Sequence, residues 1–278
     1  MIIGHDKVIE DLKRLAKGDG LAHGYIFFGP SMVGKRSMAL AFANLLERGE
    51  FTEPKFLTDG LVIQAGENGT IGIDAVRQIK YFLWQRPRAS ERRTVIIDCA
   101  ELMTPEAQNA ILKVAEEPPP STLLILVTSD PDGLLPTVSS RLEKLYFPTV
   151  PEKLVTDYIK KTFSKECSPE AIARKSFGKL GLAHRLVEDK EFSETLKTAD
   201  NLLKLKGEER KDFIKKLLKS DDFDLNKLLD AVILGVSSVP FRDKNRINFW
   251  HKLLELRHDS AYFNLNPRLQ LENLLAST

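Results

Sequence analysis

The first 147 residues alternate short apolar runs with longer stretches of helical spacing, and no other feature constrains the fold as tightly. Residues 25–28, 61–63, 94–97, 123–127 and 144–147 are each short, apolar and bounded by turn residues, which predicts five strands. Between them, apolar side chains recur at helical spacing over residues 38–46, 74–84, 105–117 and 136–142. The third of these opens on Thr104-Pro105, a capping hydroxyl followed by a residue with no amide hydrogen to satisfy, and closes on Pro118-Pro119-Pro120. Strands that alternate with helices predict a parallel sheet covered by helices.

Beyond Pro148 the strand signals stop. Leucine-rich helical patterns follow over residues 152–163, 169–176, 180–187, 195–205, 209–218, 225–236 and 247–258, with Gly178 and Gly207 as breaks. The expected organisation is an α/β parallel-sheet domain over residues 1–148, a small helical domain over 149–192 and a larger all-α domain over 193–278.

With 41 Lys and Arg against 39 Asp and Glu, the net charge of +2 provides no field that would hold nucleic acid by charge alone. Two cysteines, Cys99 and Cys167, are too few for a disulfide framework or a four-cysteine zinc site, although they leave a single disulfide open. Charged residues begin at Asp6 and no stretch approaches the length of a membrane span. Neither secretion nor a membrane partner is expected, and a reducing cytoplasmic location is.

Directly after the first strand stands Gly29-Pro30-Ser31-Met32-Val33-Gly34-Lys35-Arg36-Ser37, in which strand, G-x-x-x-x-G-K and helix follow in the order of a phosphate-binding loop. Glycines let backbone N–H groups turn inward around phosphates, and the lysine reaches the terminal ones. Gly29, Pro30, Ser31, Val33, Gly34, Lys35, Arg36 and Ser37, with Asp98 at the tip of the apolar run Val95-Ile96-Ile97, make up the candidate nucleotide site. Two parts of a hydrolytic site are missing. The hydroxyl that binds magnesium should follow the lysine, but Arg36 offers only donors and Ser37 comes one position late. Cys99 stands where a glutamate would orient water, and Glu101 needs another path to that place. Hydrolysis by this chain is not expected; a loop that binds ATP or ADP and a bare strand-to-helix turn both remain open.

Several segments in order resemble bacterial DNA polymerase III clamp-loader subunits of the AAA+ class, the delta-prime branch above all. They are Ile3-Gly4-His5, Leu21 to Phe27, Ile71-Gly72-Ile73-Asp74-Ala75-Val76-Arg77, Asn109 to Pro119, Leu134 to Leu142 with its Ser140-Arg141 pair, and Phe263 to Glu272 with its Asn266-Pro267-Arg268-Leu269 run. Leu142 replaces the cysteine that closes the family's serine-arginine-cysteine segment. The four-cysteine zinc module that relatives carry after the first covering helix is absent, so zinc is not expected, and no cofactor is required. Where ATPase members place a phosphate-sensing arginine, this chain has Gly181 and Leu182.

The resemblance implies an AAA+ core, a helical lid and a helical collar for ring assembly, in a largely non-hydrolysing stator. Its partners would be gamma/tau-like ATPases, the delta subunit and, through the complex, the sliding clamp and primed DNA. Arg141 would be an arginine finger completing a neighbour's ATP site, or else a cation answering its own helix's carbonyls. Arg77 stands where relatives touch a DNA phosphate, and Lys80 follows on nearly the same helix face. Arg86, Arg88, Arg92 and Arg93 either extend that surface or form a solvated run. The alternative is a gamma/tau-like subunit that hydrolyses ATP itself; a free nucleic-acid reader is a third class. His5 and His23 read as packed or capping residues, the cysteines as small buried groups, and Trp84 and Trp250 as core or interface anchors.

Overall fold

The computed structural model describes residues 2–18, 20–163, 168–219, 223–237, 244–262 and 266–275. The chain packs as two compact units, residues 1–162 with 177–182 and residues 163–176 with 183–278. Residues 149–162 pack with the first unit, and position 192 lies inside the helix Lys190–Lys204.

The first unit holds β1 (Gly24–Phe28), β2 (Gly60–Ile63), β3 (Arg93–Ile97), β4 (Thr122–Thr128) and β5 (Glu143–Tyr146). They form one parallel sheet in the order β2-β3-β4-β1-β5, with Gly24 opposite Leu124 and Tyr25 opposite Glu143. Each expected strand is present. Successive side chains of a strand point to opposite faces, so a strand covered on both sides reads as an unbroken apolar run. Ile26, Val95, Ile97, Leu124 and Leu126 enter one core, and Tyr25, Phe27, Ile96, Leu123, Ile125 and Val127 the other.

Helices α1 (Asp6–Lys17) and α2 (Lys35–Arg48) cover the second of these faces through Leu12, Met38, Ala39 and Phe42. Helices α3 (Ile73–Leu83) and α4 (Pro105–Glu116) cover the first through Val76, Ile79, Leu83, Ala107 and Ile111. Burying each large aliphatic side chain contributes about 1.5–3 kcal/mol, so these layers dominate the unit's stability. Thr104 caps α4 by accepting from the Ala107 amide, as its sequence signal predicts.

Helix α5 (Pro136–Ser139) stops short of residue 142. Leu142 is buried against Gly24, where a Cβ would lie 2.3 Å from Leu142 Cδ2, and the chain must extend at once to pair β5 with β1. Arg141 therefore sits in a connector and not in a helix. Helix α6 (Glu152–Thr162) closes this part of the unit.

Helix α7 (Pro169–Ser176) belongs to the second unit, and α8 (Leu180–Glu188) begins in the first and ends in the second. All remaining described elements are helices: α9 (Lys190–Lys204), α10 (Gly207–Leu217), α11 (Leu225–Ser237), α12 (Lys244–Tyr262) and α13 (Pro267–Leu275). Helix α9 starts five residues before the periodic pattern because Asp189 accepts from the Phe192 amide at 2.9 Å and caps it. Helix α11 packs against α9 and α12, and α13 against α10 and α12. Buried Arg210 donates to the carbonyls of Leu205 and Leu275, both at 2.6 Å, and so ties α10 to the end of α13. In the C-terminal motif, Asn266 caps α13 by accepting from the Arg268 and Leu269 amides while Pro267 takes the first helical position. Phe263, Asn264, Leu265 and Cys167 lie outside the described residues.

Candidate nucleotide site and exposed arginine

The phosphate loop leaves the end of β1 and enters α2, as its pattern requires. Its two glycines are needed for different reasons. Gly29 has φ +140° and a Cβ there would fall 2.2 Å from the Phe147 carbonyl oxygen, whereas Gly34, at φ +101°, would place a Cβ in open space. Val33 is buried, and its carbonyl accepts from His5 Nε2 at 3.0 Å, so that nitrogen carries the proton. The His5 ring also packs edge-on against Phe147. His5 is thus a packed residue under the loop. Ser31 and Met32 are exposed, and Pro30 and Ser37 half-buried.

Lys35 is 6% exposed and folds back onto the loop, donating to the carbonyls of Gly29 at 2.7 Å and Pro30 at 2.6 Å. Burial lowers its pKa below the ordinary lysine value, against the pull of Glu101, Cys99 and Asp98. The missing magnesium hydroxyl has a structural counterpart: Arg36 Nε lies 3.5 Å from Asp98 Oδ2, the oxygen that also takes Gln64 Nε2 at 3.5 Å.

Cys99 is exposed at φ +53°, which corrects the expectation that it is a small buried group. The turn it starts, Ala100–Leu102, brings Glu101 toward Lys35. Glu101 accepts from Ser129 Oγ at 2.6 Å and from the Ser129 amide at 3.2 Å. Burial raises its pKa, but the hydrogen bonds from Ser129 and Thr128 prevail and hold it below the usual carboxylate range.

The first turn of α8 also meets the loop within the first unit. The Gly181 amide donates to the Met32 carbonyl at 2.8 Å, and a Cβ on Gly181 would stand 3.2 Å from that oxygen and from Met32 Cβ. Leu182 is buried. Close backbone approach is what occupies the place where an arginine was missed.

Arg141 is exposed in its connector. It pairs with Glu116 at 2.7 Å and donates to the Thr137 carbonyl at 2.6 Å. Arg77 and Lys80 lie on α3, which covers the face of the sheet opposite to α2, so they are not brought to the loop. Arg77 is exposed and pairs with Asp74 at 2.6 Å. The arginine run beyond α3 divides. Arg86 and Arg88 are exposed, whereas Arg93 is buried over the Phe82 ring, donates to the Arg86 carbonyl and pairs with Asp59, so it cannot extend an outer surface. Trp84 is 74% exposed and Tyr81 75%, which removes Trp84 from the core; Trp250 is half-buried.

The family model described as DNA polymerase III, delta subunit, matches residues 4–151, more than half of the chain. The chain belongs to this family. It is a clamp-loader subunit of the AAA+ class, with a P-loop fold. It is 28% identical over 240 residues to the DNA polymerase III subunit tau of Bacillus subtilis, covering 79% of this chain and 42% of that protein. Over 135 residues it is 35% identical to the subunit delta' of Pseudomonas aeruginosa, covering 43% and 41%. The crystal structure of a DNA polymerase III gamma subunit-related protein from Thermotoga maritima superposes with a TM-score of 0.61 at 25% identity, covering 96% of this chain and 97% of that one. The chain spans less than half the length of the curated relatives it matches.

Within the clamp-loader fold, several working residues escaped sequence reasoning. Glu116, the partner of Arg141, lies in the helix that the family pattern marks but carries no local sign of pairing. Asp59 accepts from the amides of Arg88, Ala89 and Ser90 and so shapes the arginine loop. An acid between the single proline Pro54 and the apolar run Leu61-Val62-Ile63 was its one visible signal. No helix among the described residues is long and apolar enough to cross a membrane.

Proposed function

We propose that this chain is the delta-prime-like stator of a DNA polymerase III clamp loader, a subunit that does not hydrolyse ATP but completes a neighbour's ATP site with Arg141. The contact between Arg36 and Asp98 carries this reading, because it sets a side-chain cation on the acid that would otherwise hold magnesium. Arg141 supports the second half. It stands exposed in a short connector, where its guanidinium can pass from Glu116 to a phosphate of an adjoining subunit. Such a finger contributes about 10³ to 10⁵ in rate.

In this scheme residues 149–192 act as the lid and residues 193–278 as the collar, joining gamma/tau-like ATPases and the delta subunit in the cytoplasm. The complex then engages the sliding clamp and primed DNA, with Arg77 and Lys80 offering charge to the phosphate backbone. The rival reading is a gamma/tau-like subunit that hydrolyses ATP itself. It draws on Glu101, which acts on Lys35 although Cys99 stands in the usual place of the acid. Against it stand Arg36 and the hold of Ser129 on Glu101.

The test is clamp-stimulated ATP hydrolysis on primed DNA by the reconstituted loader, with this chain present, omitted or carrying Arg141→Ala. The expected result is turnover that requires the chain and falls by orders of magnitude in the variant while the complex stays assembled. Turnover indifferent to Arg141 overturns the finger, and magnesium-dependent hydrolysis by the isolated chain revives the rival.

A further inference from the structure

A phosphate loop of this class is completed by a divalent cation, held between the hydroxyl that follows the lysine and the acid at the strand tip. The residues of this chain do not fit that ion. Position 36 has no oxygen to offer, and Ser37 lies about 100° further round the helix. One carboxylate oxygen of Asp98, Oδ2, already faces the Arg36 guanidinium and the Gln64 amide. A magnesium ion would have to displace a cation from its one acidic ligand and gain nothing in exchange at position 36.

We infer that Arg36 stands in for magnesium, so that the loop takes the polyphosphate of a nucleotide without a divalent cation. This rests on the loop being a nucleotide site and is independent of the stator role. The rest of the loop supports it. Gly34 keeps open space where any other residue would carry a Cβ, and Lys35 already sits on the loop with its ammonium on carbonyl oxygens that a phosphate can replace. Arg36 is half exposed, and a guanidinium presents five donors in a fork, enough to keep Asp98 on one edge and bind phosphate oxygens on another. Asp98 acquires a different task. It positions the arginine, and the arginine cancels the charge that a bare carboxylate would turn against the ligand.

The probes are ADP, ATP and inorganic pyrophosphate, titrated calorimetrically into the full chain in EDTA and again in millimolar magnesium. The wild type is expected to bind in EDTA as tightly as in magnesium or more tightly, since magnesium withdraws the free polyphosphate. Arg36→Ser exposes Asp98 to the ligand and restores the hydroxyl. Binding in EDTA should weaken by at least about fivefold, the loss of a charge-assisted contact, and magnesium should now strengthen it. Arg36 is about half exposed and packs in no core, so the variant should fold, with circular dichroism as the check. The double variant Arg36→Ser/Asp98→Asn is the second test: without the acid that a metal would need, the gain that magnesium gives Arg36→Ser should disappear. The inference is overturned if magnesium tightens wild-type binding, if Arg36→Ser binds within fivefold of wild type in EDTA, or if the double variant still gains from magnesium. It is equally overturned if none of the three probes binds in either buffer. That last result leaves the arginine-finger reading standing, while loss of the Arg141 effect on the assembled loader leaves this one untouched.

Discussion

Replacing Glu116 by Gln separates two roles that its ion pair with Arg141 allows: parking the finger in the free subunit, or aiming it in the complex. The pair is 2.7 Å long, but the two side chains are 37% and 41% exposed, and ion pairs this open to water contribute about 0.2–1 kcal/mol. Arg141 keeps its 2.6 Å bond to the Thr137 carbonyl in the variant, so the guanidinium stays beside α5. If Glu116 only parks the arginine, freeing it raises turnover by no more than about fivefold, the rate equivalent of 1 kcal/mol. The assay is steady-state phosphate release by the reconstituted loader on primed DNA with its clamp, assembly being verified by gel filtration. The expected outcome is turnover between unchanged and about fivefold higher, with the difference shrinking as salt screens the pair. A fall of tenfold or more in an intact complex would refute the parking argument and make Glu116 the residue that aims the finger.

Two further perturbations test the packing of the first unit. Asp59→Asn turns one buried acceptor into a donor facing the Arg88 amide, weakens the bonds from Ala89 and Ser90, and leaves buried Arg93 without its anion. Denaturant unfolding at pH 7 should show a loss of about 3 kcal/mol, and less than 1 would sink the account. Burial raises the Asp59 pKa, but the Ala89, Arg88 and Ser90 amides outweigh it and hold the folded value below the ordinary one. Its contribution is therefore complete above the unfolded aspartate value of about 3.9 and is lost as pH falls below that, so the gap between wild type and variant should close in acid. Gly29→Ala drives a Cβ into the Phe147 backbone at φ +140°, whereas Gly69→Ala, at φ +75°, meets nothing within 4 Å. The first should cost about 2–4 kcal/mol and the second about 1, read as melting temperatures; equal shifts would show that the Phe147 backbone yields.

Much of this protein was legible in residue order because the forces concerned act locally. Strands covered on both faces read as unbroken apolar runs, as 25–28 in β1, 95–97 in β3 and 123–127 in β4 do. The phosphate loop is a linear device in which glycines and lysine work through their own backbone, so its place needed no partner to be seen. Caps behave alike: Thr104 and Asn266 act within three residues of themselves. Tertiary structure alone decided whom the charged side chains meet. Arg36 reaches Asp98 because β1 and β3 lie on either side of β4, an order that no spacing encodes. Arg93 is buried and Arg86 exposed in one basic run because only Arg93 lies in a strand that Asp59 and Phe82 cover. Arg141 finds Glu116 because α5 ends early to let β5 pair with β1. Helix and strand periods are written in neighbours along the chain, whereas the partner of a charge is written in the packing of elements far apart in it.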